Sequence, residues 1–226
     1  DQAFITLNGE NAGLNGIRII YPENGPTSDN LSSTYAVRGK AAGVYVVNSE
    51  IVASAYGIDF AGCDNHYIDS VYTCCYYNAF HLGGKGGILS RSLQNGTVMQ
   101  RMDIPEVKDW VYEGTDMFAN LFPKLQESCQ LIIVENAVDQ QIYSTFAYGI
   151  ATFLVNNNSE NTYMNNVATD GMINKNPQFI MNGGSMTGTT IMRSFGYSYE
   201  YISGKLTLYN RIAVKEIGER TVNKGE

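Results

Sequence analysis

Tyr35-Ala-Val-Arg-Gly39, Gly57-Ile-Asp-Phe-Ala61 and Ala79-Phe-His-Leu-Gly83 can be laid over one another. Val37, Asp59 and His81 then fall 22 residues apart at each step. A second strand-like run follows each at a matching offset: Val44-Tyr-Val-Val47, His66-Tyr-Ile-Asp69 and Ile88-Leu-Ser-Arg91. Gly or Asn stands at the corners between runs, where a chain must turn sharply. A period of this length with at least two short strands per repeat describes one coil of a right-handed, single-stranded parallel β-helix, an all-β solenoid. A β-sandwich would instead show hairpins closed by Asn-Gly turns, without a fixed register.

The pattern continues outward from this block. Ala55-Tyr-Gly-Ile58 reappears as Ala147-Tyr-Gly-Ile150, and Phe153-Leu-Val155 leads into the run Asn156-Asn157-Asn158. Further strand-like pieces follow at Gln178-Phe-Ile-Met181, Thr189-Thr-Ile-Met192, Tyr197-Ser-Tyr-Glu-Tyr201 and Lys205-Leu-Thr-Leu-Tyr209. One segment breaks the rhythm: over residues 98–128 the apolar residues recur at helical spacing, and Pro105-Glu-Val-Lys-Asp-Trp110 reads as a helix start. The expected organisation is a β-helix over 1–214 carrying a partly helical insertion at 98–128, then a charged tail over 215–226. No cap precedes the first coil, so the chain reads as a stretch of a longer protein. Its ends would meet either further coils or a second copy.

Composition narrows the partners. The 226 residues carry a net charge of −7, which disfavours nucleic acid because phosphate binding needs a basic stripe. No apolar run is long enough to insert in a membrane as a helix. Tyrosines number 16 against 9 phenylalanines and 1 tryptophan. That bias suits either ordinary strand positions or half-exposed sugar-stacking surfaces. Cys63, Cys74, Cys75 and Cys129 match no zinc or CxxC spacing and read as small buried apolar residues, with one bridge left open.

Leu7-Asn-Gly-Glu-Asn-Ala-Gly-Leu-Asn-Gly-Ile-Arg-Ile-Ile-Tyr-Pro-Glu23 resembles a coil of the pectate-lyase-like β-helix superfamily. More narrowly it is similar to bacterial proteins described as glycoside hydrolase family 28-related. Val44 to Asn48, Gly57 to Phe60 and Cys63 to Ile68 are similar to the next coils of that group. The resemblance implies a secreted or cell-surface bacterial protein acting on a poly- or oligosaccharide. Polygalacturonase-type Asn-Thr-Asp and Asp-Asp motifs are missing, so pectin hydrolysis is not implied, and the fold alone does not choose an activity.

The register supplies candidates for chemistry. Ile58, Phe60, Phe80 and Leu82 should point inward, leaving Asp59 and His81 side by side outside. A carboxylate beside an imidazole suits general acid–base work, or is simply a cross-strand pair. Asp64 lies at the following corner, either as a second carboxylate or as a backbone cap. Glycoside hydrolysis generally uses two carboxylates, so Asp59, Asp64 and His81 are the catalytic candidates. Glu135 and Asp139, after the apolar run Leu131 to Val134, are further acids, either contacting substrate or, if the sheet resumes after the insertion, partnering Asp59. Trp110 on the insertion is either a sugar platform or a helix anchor. Arg91 should stand beside Asp69 as an ion pair or a substrate contact. Gly83-Gly-Lys-Gly-Gly87 lacks the end of a phosphate loop and reads as a tight corner. His66 reads as half-buried. Two histidines give no transition-metal site; no cofactor is expected, and calcium at the Asp-bearing corners has no Asp-x-Asp run behind it.

The leading expectation is a glycoside hydrolase working on the outer face. A non-catalytic glycan-binding or adhesive protein is the alternative. A polysaccharide lyase ranks third, since only Arg38, Lys40, Lys85 and Arg91 among the basic residues would lie near the groove.

Overall fold

The computed structural model describes residues 2–25, 31, 34–95, 121–170, 178–192, 199–212 and 215–222. The chain is mostly β. Its strands are β1 (Ala3–Leu7), β2 (Gly13–Asn15), β3 (Arg18–Ile20), β4 (Tyr35–Gly39), β5 (Tyr45–Phe60), β6 (Tyr67–Leu82), β7 (Ile88–Ser90) and β8 (Leu93–Asn95), followed by β9 (Gln130–Glu135), β10 (Gln141–Tyr143), β11 (Phe146–Tyr148), β12 (Thr152–Asp170), β13 (Phe179–Met192), β14 (Tyr199–Ile212) and β15 (Lys215–Val222). Among the described residues a short helix, α1 (Phe122–Ser128), precedes β9.

Every pairing among β1 to β14 is parallel, and the 22-residue spacing survives between β5 and β6, where Asp59 pairs with His81 and Tyr45 with Tyr67. The steps from β4 to β5 and from β6 to β7 are 21, so Val37 pairs with Ile58 rather than with Asp59. The expected open β-helix solenoid, however, is not what the chain forms. β6 pairs with β7, β7 with β10, β10 with β12, β12 with β11, β11 with β8, and β8 again with β6. These six strands close a parallel barrel, and the remaining strands lie outside it. Closure follows from the long strands. β6 bends at Ser70 (φ 53°) and β12 at Asn158, Asn161 and Asn166 (φ 51°, 56° and 57°). Successive parts of each therefore face different neighbours: β6 meets β7 through 67–69, β8 through 72–73 and β9 through 78–82. A sequence period sets which residues are neighbours; it does not say whether the pairing closes.

Strand alternation builds the core. Ile58, Phe80, Ile132, Leu154 and Phe179 occupy one register column across β5, β6, β9, β12 and β13, and all are buried. Each such side chain contributes about 1.5–3 kcal/mol by leaving water. Asn156 sits among them fully buried, yet its amide donates to the Ser159 and Gly183 carbonyls at 3.1 and 3.0 Å, and its oxygen accepts from Thr162 Oγ1 at 2.9 Å. Full pairing removes the cost of burying an amide.

Of the 98–128 insertion, α1 is what the structure describes; it packs Phe122 and Leu125 inward, and Phe122 meets Tyr148 edge to face. The helix start expected at Pro105, and Trp110, lie outside the described residues. Lys215–Val222 pairs antiparallel with β14. All four cysteines are buried free thiols. Burial pushes Cys74 up to about 12, and raises Cys75 and Cys129 well above the ordinary thiol range.

The Gly83–Gly87 run is a corner. A Cβ at Gly83 would stand 1.9 Å from the Ala61 carbonyl oxygen and 2.7 Å from that of Glu135. Gly84 and Gly86 have φ near +74° and +72°, open to glycine at no steric cost. His66 is buried, with Nδ1 at 2.8 Å from the Cys63 carbonyl, and burial lowers its pKa.

Candidate functional site

Where β4, β5, β6 and β9 run side by side, the outward positions gather four charged groups. Arg38 pairs with Asp59, and Asp59 with His81, each one register step on. Arg38 Nε bonds Asp59 Oδ2 at 2.7 Å. Asp59 Oδ1 lies 3.2 Å from His81 Nδ1 and accepts the Ala61 N–H at 3.2 Å. His81 Nε2 lies 3.0 Å from Glu135 Oε2. Ile133, not Glu135, pairs with His81, so Glu135 reaches back from two residues further along β9.

Exposure is graded along this chain. The side chains of Asp59 and His81 are 14% and 18% exposed, whereas that of Glu135 is 44% exposed. Burial alone would raise the Asp59 carboxyl, but hydrogen bonding to and charge on His81, the Ala61 N–H and Arg38 together hold it below the usual carboxylate range. Burial alone would lower His81, yet Asp59 and then Glu135 outweigh it and raise the imidazole. Only the doubly protonated ring has a donor at each nitrogen, the form two flanking carboxylates favour.

A row of tyrosines borders the charges. Tyr35 and Tyr56 have ring centroids 5.1 Å apart, and Tyr56 and Tyr77 5.5 Å. All three are half-buried. Tyr35 also lies nearly parallel to His81, with centroids 6.2 Å apart and planes at 23°, and its hydroxyl stands 3.3 Å from Nδ1. Arg38 sits over the Tyr35 ring at 5.3 Å. Burial, followed by the Asp59 charge, raises the Tyr35 phenol, so it stays protonated.

The structure thus joins Asp59, His81 and Glu135 and distributes the other candidates elsewhere. Asp64 Oδ1 accepts the Lys85 N–H at 2.8 Å and caps a corner. Asp139, itself left-handed at φ 60°, accepts from Asn161 Nδ2 at 3.2 Å at the corner after β9. Arg91 holds Asp69 with Nε at 2.9 Å from Oδ1 and its terminal nitrogen on Oδ2, and Ser90 Oγ also donates to Asp69. The Arg91 hydrogen bond is the main reason the Asp69 carboxyl is lowered. This pair stands at the opposite end of β6 from His81. Among the described residues, no three His, Cys, Asp or Glu side chains are grouped to hold a metal.

Sequence reasoning passed over Tyr35, Tyr56 and Tyr77 as members of the site. Their signal is nonetheless present: they recur at intervals of 21, as do Arg38 and Asp59.

No protein-family model matches the chain, and no match is found among curated proteins or solved structures.

Proposed function

We propose that the face formed by β4, β5, β6 and β9 binds a carbohydrate. The observation that carries this reading is the row Tyr35–Tyr56–Tyr77 running beside Arg38, Asp59, His81 and Glu135. Sugars offer an apolar C–H face and a rim of hydroxyls. Tyrosine rings cover the first, and fixed charged donors and acceptors bond the second. Because the charged groups bond one another, they are held in place before a ligand arrives, which lowers the ordering cost of binding. Titration of the protein with a panel of soluble oligosaccharides tests this. Tyr56→Ala should weaken binding about tenfold, while Tyr56→Phe should retain it. Equal affinity of Tyr56→Ala and the parent chain for every sugar bound would refute it.

Hydrolysis is the second reading, favoured by one specific arrangement: Asp59 and Glu135 stand at opposite ends of a single imidazole. Two separated carboxylates are the usual equipment for glycosidic cleavage. Glu135, the most exposed side chain of the four, is the carboxylate most open to a substrate, and His81, raised by Asp59 and Glu135, favours the protonated form that a general acid needs. Release of reducing ends from the bound oligosaccharide, lost in both Glu135→Gln and His81→Gln, would establish it. Binding without product would leave recognition as the whole function.

A further inference from the structure

A recess lies over β3, β5 and β6, at their outward row Arg18–Glu50–Tyr72. Its volume is ≈ 490 Å³, within the range of small-molecule sites. Arg18, Asn48, Ser49, Glu50 and Tyr72 line it. The floor is fixed by its own bonds. Ser49 Oγ donates to the Val47 carbonyl at 2.7 Å and accepts the Ile17 N–H at 3.3 Å. Asn48, left-handed at φ 50°, donates its amide to Asn15 Oδ1 at 3.2 Å. Gly16, at φ 69°, turns the facing chain and leaves open space where a side chain would project.

The charges in this groove are matched. Arg18 Nε bonds Glu50 Oε2 at 2.6 Å. The terminal guanidinium nitrogens and the second carboxylate oxygen remain to bond a ligand. Together they offer donors and an acceptor side by side, with no net charge to draw an ion. That combination suits two neighbouring hydroxyls, one donating to Glu50 and one accepting from Arg18. The Tyr72 ring, half-buried at the end of the row, provides a flat apolar wall.

We propose that this groove is a separate binding site for one neutral sugar ring, stacked on Tyr72 with its hydroxyls on Glu50 and Arg18. It shares a ligand class with the tyrosine face and rests on that reading for it. It shares no residue with that face, so each site can fail alone.

The test uses the whole chain and glucose, galactose, mannose and their short linear oligomers, followed by calorimetry and by NMR, with sodium phosphate as the anion control. Tyr72→Ala and Glu50→Gln should each weaken binding of at least one neutral sugar about tenfold, and Tyr72→Phe should bind as the parent does. Tyr56→Ala should leave this affinity unchanged. Because Tyr72→Ala removes a packed ring, its melting temperature is measured alongside, and Glu50→Gln decides if the alanine variant does not fold. The proposal is overturned if no sugar binds, if phosphate alone binds, or if Glu50→Gln and the folded Tyr72 variants bind as the parent does. Loss of all binding in Tyr56→Ala would assign it to the tyrosine face instead.

Discussion

Arg38 Nε meets Asp59 Oδ2 at 2.7 Å across one register step of 21 residues, with both side chains largely shielded from water. This contact anchors the network that continues to His81 and Glu135, and its geometry leads to the first expectation.

Asp59→Asn removes the charge that faces both Arg38 and His81 while keeping the size of the side chain. Arg38 then loses its carboxylate in a poorly solvated place, and His81 loses the main cause of its raised pKa. We expect a loss of about 1–3 kcal/mol, read as a lower urea midpoint with unchanged slope. Arg38→Met should cost less, because the shielded aliphatic stem is retained.

The pH dependence follows from the directions of the two shifts. Asp59 is lowered, so its contribution is present above the unfolded carboxyl range and fades as pH falls through the folded value. His81 is raised, so its contribution is complete below the unfolded imidazole pKa and fades as pH rises through the folded one. The network is strongest between the two limits. Melting temperatures across pH should show an alkaline decline that begins at the ordinary histidine pKa and ends above it, and His81→Gln should flatten it.

Phe80 lies fully buried in the column between Ile58 and Ile132. Phe80→Ala opens a cavity there and should cost about 3–5 kcal/mol, measured by denaturant titration. Phe80→Leu should recover more than half of that loss.

Gly83→Ala tests the corner. The added methyl would collide with the Ala61 and Glu135 carbonyls, both backbone atoms. The expected cost is about 1–3 kcal/mol. Because one of the displaced residues is Glu135, the imidazole resonances of His81 should shift as well, whereas Phe80→Ala should move them less.

Much of the local arrangement was legible. Strand alternation placed Ile58, Phe60, Phe80 and Leu82 inside and left Asp59 and His81 outside. The 22-residue interval made Asp59 a neighbour of His81, whereas Asp69 pairs with Ser90 at 21 and Arg91 reaches it from the next position. Glu135 was recognisable as an acid in the right vicinity, but its reach to Nε2 depends on a diagonal between β9 and β6 that no interval encodes. The tyrosine row was missed because its interval is 21. The step from β4 to β5 is 21, which pairs Tyr35 with Tyr56, whereas Tyr56 pairs with Asn78 at 22 and meets the Tyr77 ring off the register. Closure of the barrel was illegible for another reason. Asparagines at the bends of β12 are the residues expected in left-handed backbone. Ser70 in β6 and Ala53 in β5 take that conformation without any such signature.

Three of the four buried thiols have a practical meaning. Cys74, Cys75 and Cys129 lie in the core shared by β6 and the start of β9, with their thiolate forms suppressed. An alkylating reagent therefore has no access until that core opens. The rate at which these sulfurs react is thus a built-in clock for barrel opening, kept by the chain's own atoms and readable without any added label.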